Sequence, residues 1–315
     1  MQIVDKQLLE IREKFRDFYN QNLIDDYKEL EKTRKKQLLI FITLAIVGMF
    51  VYGLLNSFFS RDGIYTDGEE DALFFVFGLF VIILLGIYKS FLKVTKQAVM
   101  DKILSFFGDM KYGRSDIHYS CINNSELFPN FDFEEIDDCF KGSYDGVNIN
   151  VSEHKLIRGT GKRAKTIFNG IFILFDFNKK FKGKTVVYSN NIINNTFSCV
   201  KGKKVDVNLE DVVFSKEWKV KATDQIEARY VLTPMLMEQM LKIKKLFKGS
   251  GIEFSFFDNK LFIAIPTYKN LFETTSLFSS TLGYHRVQNV IYQFYSIFSI
   301  IDLLELKNGG RNEKN

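Results

Sequence analysis

Hydrophobic and polar positions follow three different patterns along the chain. From Leu38 to Phe59 (LLIFITLAIVGMFVYGLLNSFF), 22 consecutive residues carry no charge, and Ala72–Tyr88 (ALFFVFGLFVIILLGIY) adds another 17. A hydrocarbon core about 30 Å thick takes about 20 helical residues. The first stretch meets that length and the second sits at its short end, with Tyr88 beside Lys89 as an interfacial anchor. Soluble helices keep a polar face, and neither stretch has one. The pattern predicts a transmembrane hairpin at 37–89, with spans 38–59 and 72–88.

The second pattern is helical periodicity among charges. Ile3, Leu8, Ile11, Phe15, Phe18, Leu23, Tyr27 and Leu30 recur at helical spacing over 1–36, predicting an amphipathic helical segment broken near Asn20–Asn22. Phe91, Leu92, Val94, Val99, Ile103, Leu104, Phe106 and Phe107 carry the second span on as a juxtamembrane helix and linker, 90–115, ending near Gly108. These two helical stretches either pack together or lie along the bilayer.

The third pattern begins near residue 116. Cys139–Ser143 and the alternating Val147–Val151 flank Tyr144-Asp145-Gly146, and Asp-Gly is a strong hairpin signal. Thr166–Phe177, Lys184–Ser189, Trp218–Ala222, Ile252–Phe257 and Leu261–Ile265 read as strands, the last two joined through Asp258-Asn259-Lys260. Two helices are expected: Met235–Phe247, capped by Thr233-Pro234, and Gly283–Leu306. The fold class is therefore α+β: an N-terminal hairpin of two transmembrane helices, then a mixed domain with antiparallel hairpins over 116–307, and a disordered tail at 308–315.

Charge sets the orientation. Lys32, Arg34, Lys35 and Lys36 precede the first span and Lys89, Lys93 and Lys96 follow the second, whereas the Ser60–Asp71 loop has one Arg61 among five acids. Lysine and arginine stay on the cytoplasmic side, so a multi-pass protein of the cell (inner) membrane with both termini cytoplasmic is expected. A cleaved leader is not: a charged segment of 37 residues precedes the apolar run and no small-residue cleavage site follows it. Three cysteines without a C-x-x-C fit free thiols rather than a disulfide framework or a zinc site.

Three blocks resemble a known family: SELFPNFDFEEIDDCFKGSYDGVNINVSEHKL (Ser125–Leu156), IFNGIFILFDFNKKFKGKTVV (Ile167–Val187) and ARYVLTPMLMEQM (Ala228–Met240). Together they look like the bacterial, membrane-anchored domain of unknown function 3137, over roughly 95–280. Met235, Leu236 and Gln239 depart from that family's usual T-P-A-F-M-E-R-L. The resemblance implies the anchored architecture and no activity.

Motif chemistry is sparse. Gly159-Thr160-Gly161-Lys162-Arg163 lacks the spacing and the following helix of a phosphate loop and reads as a basic hairpin tip. His118 lies three residues from Cys121, but no further ligands are evident, and Glu153 and His154 sit on opposite faces of a strand. Asp132, Glu134, Glu135, Asp137 and Asp138 read as a solvated acidic loop. No catalytic residue, metal site or cofactor is expected. Arg229, close to Asp224 and Glu227, reads as an ion pair before a capped helix, with anion binding the rarer alternative.

Charge layout carries the functional expectation. Lys155 to Lys204 holds twelve Lys/Arg against Asp176 alone, while Asp116 to Asp138 holds seven acids and no base. A basic surface beside a membrane meets anionic headgroups, which marks Lys162, Arg163, Lys165, Lys179, Lys180, Lys182, Lys184 and Arg229 as lipid- or anion-binding candidates. The protein is expected to be a binding or scaffolding module at the membrane surface rather than an enzyme, with anionic lipid headgroups and an unidentified protein as partners. Nucleic acid is disfavoured for want of a recognised module. The alternatives are an enzyme acting on a lipid or membrane-linked substrate, and a subunit of an envelope assembly.

Overall fold

The computed structural model describes residues 2–59, 67–176, 180–190, 204–248, 251–267 and 269–304. The chain forms two compact units: Met1–Ile103 with Glu273–Val290, and Leu104–Phe272 with Ile291–Asn315. Among the described residues there are eight α-helices and a nine-stranded antiparallel sheet, so the fold is α+β.

The first unit is built on three helices, α1 (Gln2–Asn22), α2 (Ile24–Phe59) and α3 (Asp67–Ser105), with the start of α8 (Tyr284–Leu303). The break between α1 and α2 falls where the periodicity stops; Asn22 Nδ2 turns back to the Phe18 carbonyl at 3.0 Å, competing with the backbone ladder. Phe15, Tyr19, Leu23 and Tyr27 are buried, and Tyr284 packs on Tyr19 at 5.2 Å between ring centroids. Beyond this core the helices run on as the two apolar stretches, each long and apolar enough to cross a membrane. Their side chains are bare: Phe75 is 73% exposed and Phe50 66%. Between them Gly48 lies against the Phe80 ring, so a side chain at 48 would displace it.

The second unit is the sheet, in the order β1-β2-β3-β4-β9-β8-β5-β7-β6. In chain order the strands are β1 (Asp109–Tyr112), β2 (Phe133–Tyr144), β3 (Val147–Arg158), β4 (Lys165–Asp176), β5 (Thr185–Ser189), β6 (Val205–Asp206), β7 (Trp218–Ala222), β8 (Glu253–Phe257) and β9 (Lys260–Pro266). The β2–β3 turn is Asp145-Gly146, with φ of 47° and 81°, and Asp258 (φ 55°) opens the β8–β9 turn. Positive φ at these positions matches the right-handed twist of hairpins, which is why Asp-Gly was readable.

Alternation along the strands gives the sheet two faces. One is covered by the 113–131 segment, including α4 (Tyr119–Ser125), over a core of Ile122, Phe128, Leu156, Phe168, Phe172 and Phe262. Ser255 Oγ ties it down by donating to the Ser125 carbonyl at 2.7 Å. The other face carries the remainder of α8, where Phe294 meets Phe140 at 5.1 Å and Phe272 at 4.8 Å. Three short or capped helices complete the unit: α5 (Val212–Glu217), α6 (Gln225–Val231) and α7 (Pro234–Leu246). Thr233 caps α7 as its sequence predicts, its Oγ1 accepting from Leu236 N at 3.2 Å.

Two expectations are corrected. The acidic run Asp132–Asp138 is strand rather than loop from Phe133 onward, because β2 begins as the outer partner of β3 and leaves Glu135 and Asp137 exposed. The helices α4, α5 and α6 were not expected; each is seven residues or fewer, too short for a periodic signal.

Candidate functional site

Among the described residues the basic run does not form one surface. Its first part closes the β3–β4 connection, a tight turn in which Gly159 (φ 84°) donates to Asp132 Oδ2 at 2.7 Å and Gly161–Arg163 form one 3₁₀ turn. Arg158 and Lys165 are directly opposite each other across the two strands, and Lys162 and Arg163 stand on the turn between them. All four side chains are exposed, and among the described residues none has an acid partner within ion-pair distance. Like charges directly opposite each other disfavour the hairpin. Phe133, 51% exposed, pairs with Ile157 beside this tip.

The second part lies past the other end of β4, twelve residues away, or about 36 Å of strand. Lys180 and Lys182 are exposed there, and the Lys182 amide donates to Glu227. Lys184 is held by the protein itself. Its Nζ reaches the Asn124 carbonyl (3.1 Å) and Glu126 (3.0 Å) at the C-terminal end of α4, neutralising the helix end. Lys204 pairs with the same Glu126, and Lys155 with Glu135 at 2.9 Å. Lys179 lies outside the described residues. Arg229 makes no ion pair with its neighbouring acids, contrary to expectation. Asp224 is occupied as the N-cap of α6 and Glu227 by the Lys182 amide, so Arg229 turns to the Asn208 carbonyl at 3.5 Å.

Two further clusters emerge that spacing did not reveal. A bulge between Ile136 and Cys139 sets Asp137 and Asp138 opposite Glu153, and their carboxylates lie within 4.8 Å of one another. Asp138 and Glu153 are buried, Asp137 is exposed, and Tyr112 donates its hydroxyl to Asp138. Burial, with these acids nearby, pushes the Tyr112 hydroxyl pKa far up, so it stays a donor. Three acidic ligands at a strand bulge have the composition of a hard-cation site.

On the opposite face, Ser152 Oγ and His154 Nε2 are 2.6 Å apart, and His154 Nδ1 approaches Glu134 Oε1 to 2.7 Å, off the line of a hydrogen bond. This has the membership of a Ser-His-acid triad. Ser152 has no exposed surface, however, and His154 is stacked on Phe172 at 4.7 Å, so in this conformation a substrate carbonyl cannot reach Oγ. Glu153 and His154 do face opposite ways; His154 finds its partners two residues along and one strand across.

The two thiols among the described residues, Cys121 and Cys139, are poor nucleophiles. Burial pushes Cys121 up to about 11, and burial together with Asp138 and Asp137 raises Cys139. His118 is the N-cap residue of α4, and no third ligand joins it and Cys121 among the described residues. A cleft of about 800 Å³ opens at the β7 edge, floored by Phe214 and Trp218 and rimmed by Asp206, Lys219 and Lys221.

No curated protein matches the chain. Among solved structures it is similar to the mycobacterial trehalose monomycolate transport factor A, TtfA, at 7% identity and a TM-score of 0.34, over 66% of this chain and 96% of that one. That likeness is too slight to fix a fold or a function. Residues 166–306 match the family described as "Protein of unknown function (DUF3137)". The match takes in two of the three blocks that carried the resemblance, starts after the Ser125–Leu156 block and reaches through α8. Over residues 166–306 this chain is thus similar to the DUF3137 family.

Proposed function

We propose that this is a two-span membrane protein, both termini cytoplasmic, whose α+β unit is a binding module for anionic lipid at the membrane surface. The observation that carries this reading is the β3–β4 tip: Arg158, Lys162, Arg163 and Lys165 are exposed and unpartnered among the described residues, beside an exposed Phe133. Lys155, Lys184 and Lys204 in the same run are instead matched by Glu135 and Glu126. A hairpin that gathers like charge without an acid gains by meeting an anionic surface, at about 1 kcal/mol per close Lys or Arg. Tethering by the two apolar helices raises the effective concentration of headgroups around the module, so weak contacts suffice.

The test uses the full chain in bilayer vesicles, with a dye on Thr160→Cys and a quencher on the lipid headgroups. Quenching should rise when phosphatidylglycerol replaces neutral lipid and fall as salt rises, since exposed charges act over about 8 Å at physiological ionic strength. Changing Arg158, Lys162, Arg163 and Lys165 together to Gln should remove the lipid dependence. Equal quenching on neutral and anionic bilayers would overturn the reading.

A further inference from the structure

Within the first unit, the segment Glu273–Gly283 is laced to α2 and α3 by polar bonds. Arg34 grips Glu31 with Nε (2.8 Å) and Nη2 (2.6 Å) and gives Nη1 to the Leu277 carbonyl at 3.0 Å. Glu31 also accepts from Thr281 N (2.8 Å) and Thr281 Oγ1 (2.9 Å). On α3, Thr95 and Thr275 share a hydrogen bond of 2.6 Å, and Lys96 reaches Glu273 at 2.9 Å. Leu277, Thr275 and Thr281 are buried by these contacts. A loop that satisfies this many polar groups is placed, not draped.

Between those fixed points the loop turns two large apolar side chains outward. Phe278 is 61% exposed and Leu282 49%. The Phe278 ring nevertheless has two neighbours, Phe41 at 5.4 Å and Tyr88 at 5.7 Å, the latter stacked. Arg34, which holds Leu277, lies just before the first apolar stretch; Phe41 is seven residues further on, about 10 Å along the helix axis and inside that stretch. Tyr88 closes the second stretch, with Lys89 after it. The loop therefore hangs from the charged ends of the helices and lays Phe278 on their apolar sides, where its bare ring continues the surface that α2 and α3 offer to lipid.

We infer that Ser276–Leu282 is an interfacial membrane-insertion loop, which sinks Phe278 and Leu282 into the headgroup–acyl boundary of the leaflet at the basic ends of the two spans. Its occupant is lipid, because the patch is continuous with the bare helices, whose apolar stretches are flanked in sequence by the exposed Lys35, Lys36, Lys89 and Lys93. Aromatic and aliphatic side chains on a basic-flanked segment are the composition that binds this boundary. The inference rests on the membrane reading above and adds a third lipid contact contributed from the far end of the sequence.

The chain has one tryptophan, Trp218, buried in the sheet, which makes a direct depth measurement possible. Full-length protein carrying Phe278→Trp, or separately Leu54→Trp in α2, is placed in bilayers containing phospholipid brominated near the headgroup or deep in the chains. The added emission of Phe278→Trp should fall at least twofold with the shallow bromines and less with the deep ones. Leu54→Trp should show the reverse order, and the parent protein no quenching. Leu282→Trp repeats the measurement where position 278 does not tolerate the change, with the same shallow preference. Quenching of Leu54→Trp but neither loop variant would overturn the insertion loop and leave the spans standing. Absence of quenching at all three positions would overturn the membrane reading, and the loop with it.

Discussion

Glu253 ends a row of side chains that crosses one face of the sheet through Cys139, Ser152, Phe172 and Ala264. Burial raises its pKa to about 8, opposed by a hydrogen bond from the Ser189 backbone, and its Oε1 has no hydrogen-bond partner among the described residues. A carboxyl raised from 4.5 to about 8 is protonated at neutral pH in the folded state and ionised in the unfolded one. Its stabilising contribution is therefore complete below about pH 4.5 and is lost as pH rises through about 8, by on the order of a few kcal/mol in total. Glu253→Gln should flatten that decline. Denaturant midpoints of the two proteins, compared at pH 5, 7 and 9, check it; parallel curves across that range would mean that Glu253 is solvated. None of this was legible beforehand, since Glu253 opens an apparently ordinary strand and its burial depends on the 113–131 segment folding over that face. Arg229 failed for a related reason: proximity in sequence to Asp224 and Glu227 says nothing about acids already bonded to backbone N–H groups.

The clearest signals in the chain were at the scale of hairpins and caps. Asp145-Gly146, Asp258-Asn259 and Thr233-Pro234 each require a particular backbone conformation, so residue type alone locates them. The β2 bulge has no such signature. Asp137-Asp138 reads as loop by residue type, since Asp is depleted in strands, and only pairing with β3 decides which carboxylates converge on Glu153. That convergence has a measurable consequence. With Asp138 and Glu153 buried and Asp137 exposed, Asp137→Asn removes like-charge repulsion and should stabilise the protein by roughly 0.2–1 kcal/mol. A thermal melt in detergent, with and without a chelator, checks this. A lower midpoint for Asp137→Asn, together with a chelator-sensitive parent, would mean that the acids share a cation and that repulsion is not what the substitution relieves.

For the whole molecule, the apolar stretches were legible in full because length and lack of charge do not depend on context, and α2 and α3 contain them. What the sequence concealed is how the charges around them are used. Arg34 is paired with Glu31 and Lys96 with Glu273, so these two cations are tied to the protein itself. Setting them aside still leaves Lys32, Lys35, Lys36, Lys89 and Lys93 at the basic ends against Arg61 alone in the intervening loop. Orientation follows lysine and arginine near the spans, and acids contribute little, so the bias keeps its sign under the stricter count. A fluorescent protein fused after Asn315 should therefore fluoresce in the cytoplasm, and alkaline phosphatase inserted within 60–71 should be active outside it. The sharper test alters the count. Changing Lys32, Lys35, Lys36, Lys89 and Lys93 to Gln while adding three lysines to the loop should give a mixed or inverted population, with phosphatase activity falling severalfold. If this variant kept the parent orientation, residues other than the flanking cations would be setting it. If the parent itself showed an active phosphatase after Asn315, the cytoplasmic assignment of the α+β unit would fall, and the proposed contact with the cytoplasmic leaflet with it.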